Sequence, residues 1–262
     1  MSYFYELHSH TNVGSACSSF EPEEYVDYYM GLGYSGMVIC DHFYHGNTKI
    51  SREFDWEKYI SEYSMGYRRA KAEGDKRGFS VFFGIEQRFK DGNDEYVVLG
   101  LTPEWLIAHP EIRDMGRDRF FDIVREAGGF TIQAHPFREA PYMRDIRLVG
   151  NRADAVEVFN SCNTEGSCKR AYEYAKNLGM KMVGGSDIHH SNFSKVHSGI
   201  AVEKKLHDVK ELIEAIKSGE HEVLPIGKLD EISKLPLEDP TYTVLRFVGD
   251  GFEETKDYYF EK

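Results

Sequence analysis

Histidines and carboxylates stand together at the downstream ends of several short apolar runs in this chain. Tyr3-Phe4-Tyr5 leads into His8-Ser9-His10, Met37-Val38-Ile39 into Asp41-His42, and Val81-Phe82-Phe83 into Glu86. Phe130-Thr131-Ile132 leads into His135-Pro136, and Met182-Val183-Gly184 into Ser186-Asp187-Ile188-His189. On a strand, residues two apart face the same side with Cα atoms roughly 6.5 Å apart, so His8 and His10 can converge on one ion. The same geometry serves Asp187 and His189 if the strand runs through them. Imidazole nitrogen with carboxylate oxygen, and no obligatory thiolate, is the donor set of a multinuclear divalent-cation site.

Glu86 follows a run that reads as buried, where an unpaired carboxylate is costly to ionise. Either a cation or an ion pair with Arg88 removes that cost. If a cation does, Arg88 is free to hold an anionic substrate beside it, and Arg138, three residues beyond His135, is a second candidate for that role. Glu157 and Asn160 end a further run and read as packing residues rather than supports for the ligands. His45, His109, His190, His197, His207 and His221 read as loop or solvated histidines, with His190 set apart by its place beside the Asp187 motif.

Positioning these groups takes alternating strands and helices. Glu21 to Leu32, Asp55 to Ala72, Arg117 to Ala127, Gly166 to Leu178 and Val209 to Lys217 have apolar residues at helical spacing, several closed by glycine. Strands are expected at Gly36–Cys40, Ser80–Ile85, Tyr96–Leu101, Phe130–Ala134, Ala155–Phe159, Lys181–Gly184 and Gly199–Val202, with Asp91-Gly92-Asn93-Asp94 as a turn. Helices between strands imply a parallel sheet, whose strands end on one common face. The expected architecture is a single barrel-like α/β domain over 1–225, and 226–262 is expected to be a C-terminal extension packed on it, with Thr241 to Val248 as an edge strand.

The chain has 262 residues and a formal net charge of -12, which argues against general affinity for nucleic acid. No apolar stretch approaches the roughly 18 residues of a membrane span, and no basic region followed by an apolar core opens the chain. The expectation is a cytoplasmic protein with no membrane partner and no stable nucleic-acid partner. Cys17, Cys40, Cys162 and Cys168 are too scattered for a disulfide framework and read as reduced, buried thiols.

Taken together, His8-x-His10-Thr11, Asp41-His42, Gly84-Ile85-Glu86, Ala134-His135-Pro136 and Ser186-Asp187-x-His189 closely resemble, in order and spacing, the motifs of the polymerase and histidinol phosphatase (PHP) family of metal-dependent phosphoesterases. The resemblance covers about the first 200 residues. It implies a distorted seven-stranded β/α (TIM-like) barrel and two or three divalent ions, Zn, Mn or Fe. His8, His10, Glu86 and Asp187 would hold the first, Glu86 would bridge to a second also bound by His135, and His42 and His189 would belong to a third.

This chain departs from the pattern twice. Ala16 stands where an Asp or His is usual, with Cys17 the less favoured stand-in, and Tyr96-Val97-Val98 stands where a His is often supplied. The implied activity is hydrolysis of a small phosphate monoester through activated water, with Arg88 and Arg138 on the phosphoryl oxygens. The alternatives are a nucleotide phosphodiesterase or exonuclease, and a non-catalytic binding module for metal or phospho-ligand.

Overall fold

A computed structural model describes residues 2–190 and 196–259. In chain order the elements are β1 (Tyr3–Ser9), α1 (Pro22–Gly31), β2 (Gly36–Ile39), α2 (Trp56–Tyr63), α3 (Met65–Arg77), β3 (Ser80–Arg88), β4 (Glu95–Leu99), α4 (Pro103–Ala108), α5 (Arg117–Glu126) and β5 (Phe130–Ala134). They continue with β6 (Ile146–Leu148), β7 (Ala155–Asn160), α6 (Glu165–Leu178), β8 (Lys181–Gly185), β9 (Gly199–Val202), α7 (Val209–Ser218), β10 (Glu222–Leu224), α8 (Lys228–Ser233), β11 (Val244–Val248) and β12 (Gly251–Glu254).

Nine strands, ordered β10-β9-β1-β2-β3-β4-β5-β7-β8, form one nearly closed, barrel-shaped sheet. The last strand returns beside the first: the Asp187 N–H donates to the His8 carbonyl at 2.9 Å, and Ser9 bridges Ile188 in parallel. The expectation of seven strands in parallel is corrected here. β1, β2 and β3 run parallel, as do β5, β7 and β8, but β4 is antiparallel to both β3 and β5, and β9 to β1. The β3–β4 link, Phe89 to Asp94, is a short turn, whereas a parallel pair needs a crossover of a dozen or more residues.

Inward-facing Leu7, Val38, Phe82, Val97, Leu99, Ile132 and Val183 fill the barrel together with Leu212, Ile213 and Ile216 of α7. α7 therefore closes the end where the parallel strands begin and leaves the opposite end as the mouth.

The helix expected over 55–72 is two helices that break at Ser64, whose Oγ donates to the Ile60 carbonyl at 2.7 Å. Gly66, just past the break, has no room for a side chain, since a Cβ there would lie 2.4 Å from Thr11 Oγ1. The bend brings α3 against the loop that follows β1. Near the C-terminus, β11 is not an edge strand: it lies between β12 and β6 in a three-stranded sheet. Ile146, Leu148, Ile232 and Val244 bury that sheet and α8 against the Cys168, Ala171 and Ala175 face of α6.

Candidate metal centre

Glu86 is the hub of the mouth. Its carboxylate, 1 % exposed, lies 3.0 Å from His8 Nε2, 3.4 Å from His135 Nε2 and 3.6 Å from His10 Nε2, and it also contacts His42 Nδ1. Asp187 Oδ1 lies 3.2 Å from His10 Nε2 and 3.6 Å from His8 Nε2. The alternative of a Glu86–Arg88 ion pair is not what forms: the Arg88 guanidinium turns to the Gly92 carbonyl at 3.1 Å and to the side chain of Asn93.

Three of the rings, those of His8, His10 and His189, are held through Nδ1. His8 Nδ1 is 3.0 Å from Glu157 Oε1, so it donates there and points a bare Nε2 into the mouth. Ser15 Oγ donates to Asp41 Oδ1 at 2.7 Å and so accepts from His10 Nδ1 at 3.2 Å, which leaves His10 Nε2 bare as well. His189 Nδ1 donates to the Asp187 carbonyl at 2.9 Å. Glu157 also accepts from the His135 N–H at 2.9 Å and from Asn160 Nδ2 at 3.0 Å. The packing role expected for Glu157 and Asn160 is therefore corrected: Glu157 bonds to His8 and His135 and Asn160 to Asp187, because β7 lies between β5 and β8 and turns these side chains toward the mouth.

Charges around the hub are strongly perturbed. Burial pushes the Glu86 carboxyl up, but His42, His8 and His10 reverse this and hold it well below the usual carboxylate range. Burial likewise raises Asp187, and Arg138 and His8 bring it well below. Burial opposes charge on His8, yet Asp187, Glu157 and Glu86 raise its pKa well above the ordinary value. Burial and then the charge of His42 lower His10 to about 3, which keeps that ring neutral and able to donate a lone pair.

One residue of this constellation escaped sequence reasoning. Glu95 opens β4, and its carboxylate lies 3.6 Å from His135 Nε2 and 3.8 Å from His42 Nδ1. Because β4 runs against its neighbours, its first residue, not its last, reaches the mouth. Val97, two residues on, points into the apolar interior, so Glu95 supplies the donor for which no histidine was found on this strand. The signal was in the sequence: the Asp91–Asp94 turn makes β3 and β4 a hairpin, which places Glu95 opposite Arg88.

Whether these residues suit a cation is tested by their unpartnered atoms. His8 Nε2, His10 Nε2, His42 Nδ1 and Glu86 Oε2 are buried without a hydrogen-bond partner, and buried polar atoms are rarely left so. Donor atoms of His8, His10 and Asp187 lie within 4.8 Å of one another, as do those of His42, Glu86 and Glu95, and those of His10, His42 and His189. Lone pairs facing carboxylates require a proton or a cation between them, and this donor set fits divalent ions.

Neither a family model nor a curated protein matches the sequence. Solved structures do match. A two-domain protein from Bacteroides vulgatus containing a predicted PHP-like metal-dependent phosphoesterase superposes over 85% of this chain and 64% of its own, at TM-score 0.64 and 14% identity. A putative metal-dependent phosphoesterase from Bifidobacterium adolescentis superposes over 82% of this chain and 96% of its own, at TM-score 0.50 and 15% identity. The lesion-specific endonuclease Q from Pyrococcus furiosus superposes over 86% and 58%, at TM-score 0.55 and 13% identity. The barrel shares the fold of these structures. This chain thus spans under two thirds of the length of the first and third of these proteins.

Within this fold, the expected gap at Ala16 takes a different form. Ala16 is exposed, so a donor at that position would face solvent, and Cys17 faces the cavity instead. Burial pushes the Cys17 thiol up, but contacts with His189 and His42 outweigh it and bring it down to about 7. Cys17 is therefore not one of the buried, inert thiols. His135 and Asp187 adopt left-handed backbone, φ 29° and 51°, a costly conformation for residues other than glycine that collects at functional sites.

Over these side chains lies a cavity of about 760 Å³, lined among others by Arg88, Arg138, Tyr142, His189 and His190. Arg138 is fixed there by Asp187 Oδ2 at 2.5 Å, Asn160 Oδ1 at 3.1 Å and Asn163 Oδ1 at 2.9 Å. His190 joins this lining, its Nδ1 2.7 Å from Ser19 Oγ.

Proposed function

We propose that the protein is a metal-dependent phosphoesterase acting on a small phosphorylated substrate. The observation that carries the reading is the set of buried, unpartnered nitrogen and oxygen atoms converging on Glu86 beneath a cavity that presents arginine. His8, His10, Glu86 and Asp187 would hold one ion, Glu86, Glu95 and His135 a second, and His42 and His189 would belong to a third. Divalent ions held there supply Lewis-acid polarisation of a phosphoryl oxygen and a nucleophile at neutral pH.

The chain's own groups do the rest. Glu157 and Ser15 fix the rings of His8 and His10, so their lone pairs need no reorientation. Arg138, already ordered by three side chains, meets developing charge on the phosphoryl oxygens without reorganisation. Arg88, tied to the Gly92 carbonyl at the cavity wall, adds a second cation farther out.

His8→Ala, Glu86→Ala and Asp187→Ala should each abolish metal-dependent hydrolysis of p-nitrophenyl phosphate while circular dichroism stays native. Arg138→Ala should raise KM with metal content unchanged. Full activity in Glu86→Ala, or in metal-stripped protein, would overturn the reading.

A nucleotide substrate is the second reading, favoured by one wall of the cavity. Tyr142 is 57% exposed there, and Arg88 is shared with an adjoining cavity of about 300 Å³ that also carries Lys90 and Arg144, with Arg147 paired there to Asp145 and Asp91. An exposed aromatic beside clustered cations suits a base and its phosphates. Rates on nucleoside monophosphates, sugar phosphates and single-stranded DNA, measured side by side, separate the two readings. Faster cleavage of DNA than of either small ester would replace the phosphatase with a nuclease.

A further inference from the structure

The mouth is chemically two-sided. Around Glu86 the donors are carboxylates and imidazoles, and beyond His42, which itself reaches Glu86 and Glu95, the cavity adds the imidazole of His189 and the thiol of Cys17. His10 and His42 stack at 4.3 Å between ring centroids, and His10 and His189 at 4.7 Å. Donor atoms of the three rings fall within 4.8 Å of one another, and His10 Nε2 is fully buried with no hydrogen-bond partner. Cys17 lines the same cavity as His42 and His189, on a loop whose Ser15 accepts from the His42 N–H at 3.0 Å and whose Ser18 donates to the His189 carbonyl at 3.4 Å.

The loop that carries Cys17 is anchored on both sides. Ser15 Oγ donates to Asp41 at 2.7 Å, the Ala16 N–H to the Asn47 carbonyl at 2.9 Å, and Ser18 Oγ to the His10 carbonyl at 2.6 Å. Those bonds hold Ala16 outward and Cys17 inward.

We propose that Cys17 is a metal ligand, its thiolate completing a cation position with His42 and His189. The proposal rests on the metal-centre reading above and not on hydrolysis. A thiolate beside imidazoles selects borderline and soft cations, Zn, Fe or Co, over Mn or Mg, whereas the positions built on Glu86, Glu95 and Asp187 accept harder ions. The protein would therefore hold a mixed set of metals when both kinds are available. Ala16 is then no gap at all, because the donor has moved one residue along the loop.

The test is cobalt substitution of the full-length protein followed by absorption spectroscopy. Wild type should show a near-ultraviolet sulfur-to-cobalt charge-transfer band. Cys17→Ser should lose the band and bind its last equivalent of cobalt at least about tenfold more weakly, the lower end of what even an outer partner of a ligand contributes. Cys17→Asp should lose the band yet recover that equivalent, which also shows that the loop remains folded. Cys162→Ser controls for the other thiol lining the cavity and should keep the band.

Bound zinc should also slow alkylation of Cys17 by iodoacetamide, followed by peptide mass mapping. No band in wild type, or a band that survives in Cys17→Ser, overturns the proposal. A band in a protein without phosphatase activity would leave Cys17 a ligand and reject the functional reading instead.

Discussion

Glu95 is a fully buried carboxylate whose pKa is raised by burial and by the neighbouring charge of Glu86, so it ionises readily only with a cation beside it. Glu95→Gln keeps the shape and removes the charge. It should weaken one ion of the set by roughly 10- to 100-fold, as charge-bearing partners of metal sites do, while the fold is unaffected. Calorimetric titration with Mn checks this, and unchanged affinity and stoichiometry would remove Glu95 from the site. That His8, His10 and Asp187 converge at the mouth was legible because paired chemical side chains two apart at a strand end are a local pattern. Glu95 was not, because its place depends on which way a five-residue strand runs. Glu157 was misjudged for a related reason: on a strand buried along its whole length, a bracing carboxylate and a packing residue look alike until the facing imidazole is known.

At the level of elements, the barrel depends on the junction of β1 with β8, and Glu6 lies across it. Its carboxylate accepts from the His8 N–H and the Ser186 N–H, each at 2.8 Å, and from the Tyr29 hydroxyl at 2.9 Å. Burial pushes Glu6 up from an ordinary 4.5 to about 7, against the pull of those bonds from Ser186, His8 and Tyr29. The native state therefore holds this proton more tightly than the unfolded chain. Its contribution is fully present below pH 4.5 and is lost as pH rises through about 7, on the order of 3 kcal/mol in all. Glu6→Gln cannot lose that proton, so its melting temperature relative to wild type should climb between pH 5 and pH 8 in chelator. A constant difference across that range would show that Glu6 does not titrate there. The helices flanking this junction were readable from their apolar spacing. The break at Ser64 was not, because the periodicity continues across it and only the contact of Gly66 with Thr11 reveals the need for a bend.

For the molecule as a whole, packing carboxylates and imidazoles in a buried mouth is costly without cations, so the ions should contribute to stability as well as chemistry. Chelation should lower the melting temperature, and re-adding metal at about 1,000 times its Kd should restore about 4 kcal/mol. Scanning calorimetry of stripped and reloaded protein decides this, and identical melting curves would mean that the mouth is stable without ions. Barrel class was legible from the alternation of strands and helices, but closure by nine strands was not, since the three-residue β10 is too short to leave a pattern. The meeting of β1 with β8 also sets an order of events. The donors span His8 to His189, and those at the two ends become neighbours only when the His8 carbonyl receives the Asp187 N–H. Unlike a metal loop that gathers its ligands from one short segment, this centre stays divided until long-range chain closure is complete. On the ribosome, a chain emerged only as far as β7 would carry His8, His10 and Glu86 but not Asp187, so the full set of donors is brought together only after nearly the whole barrel has been made.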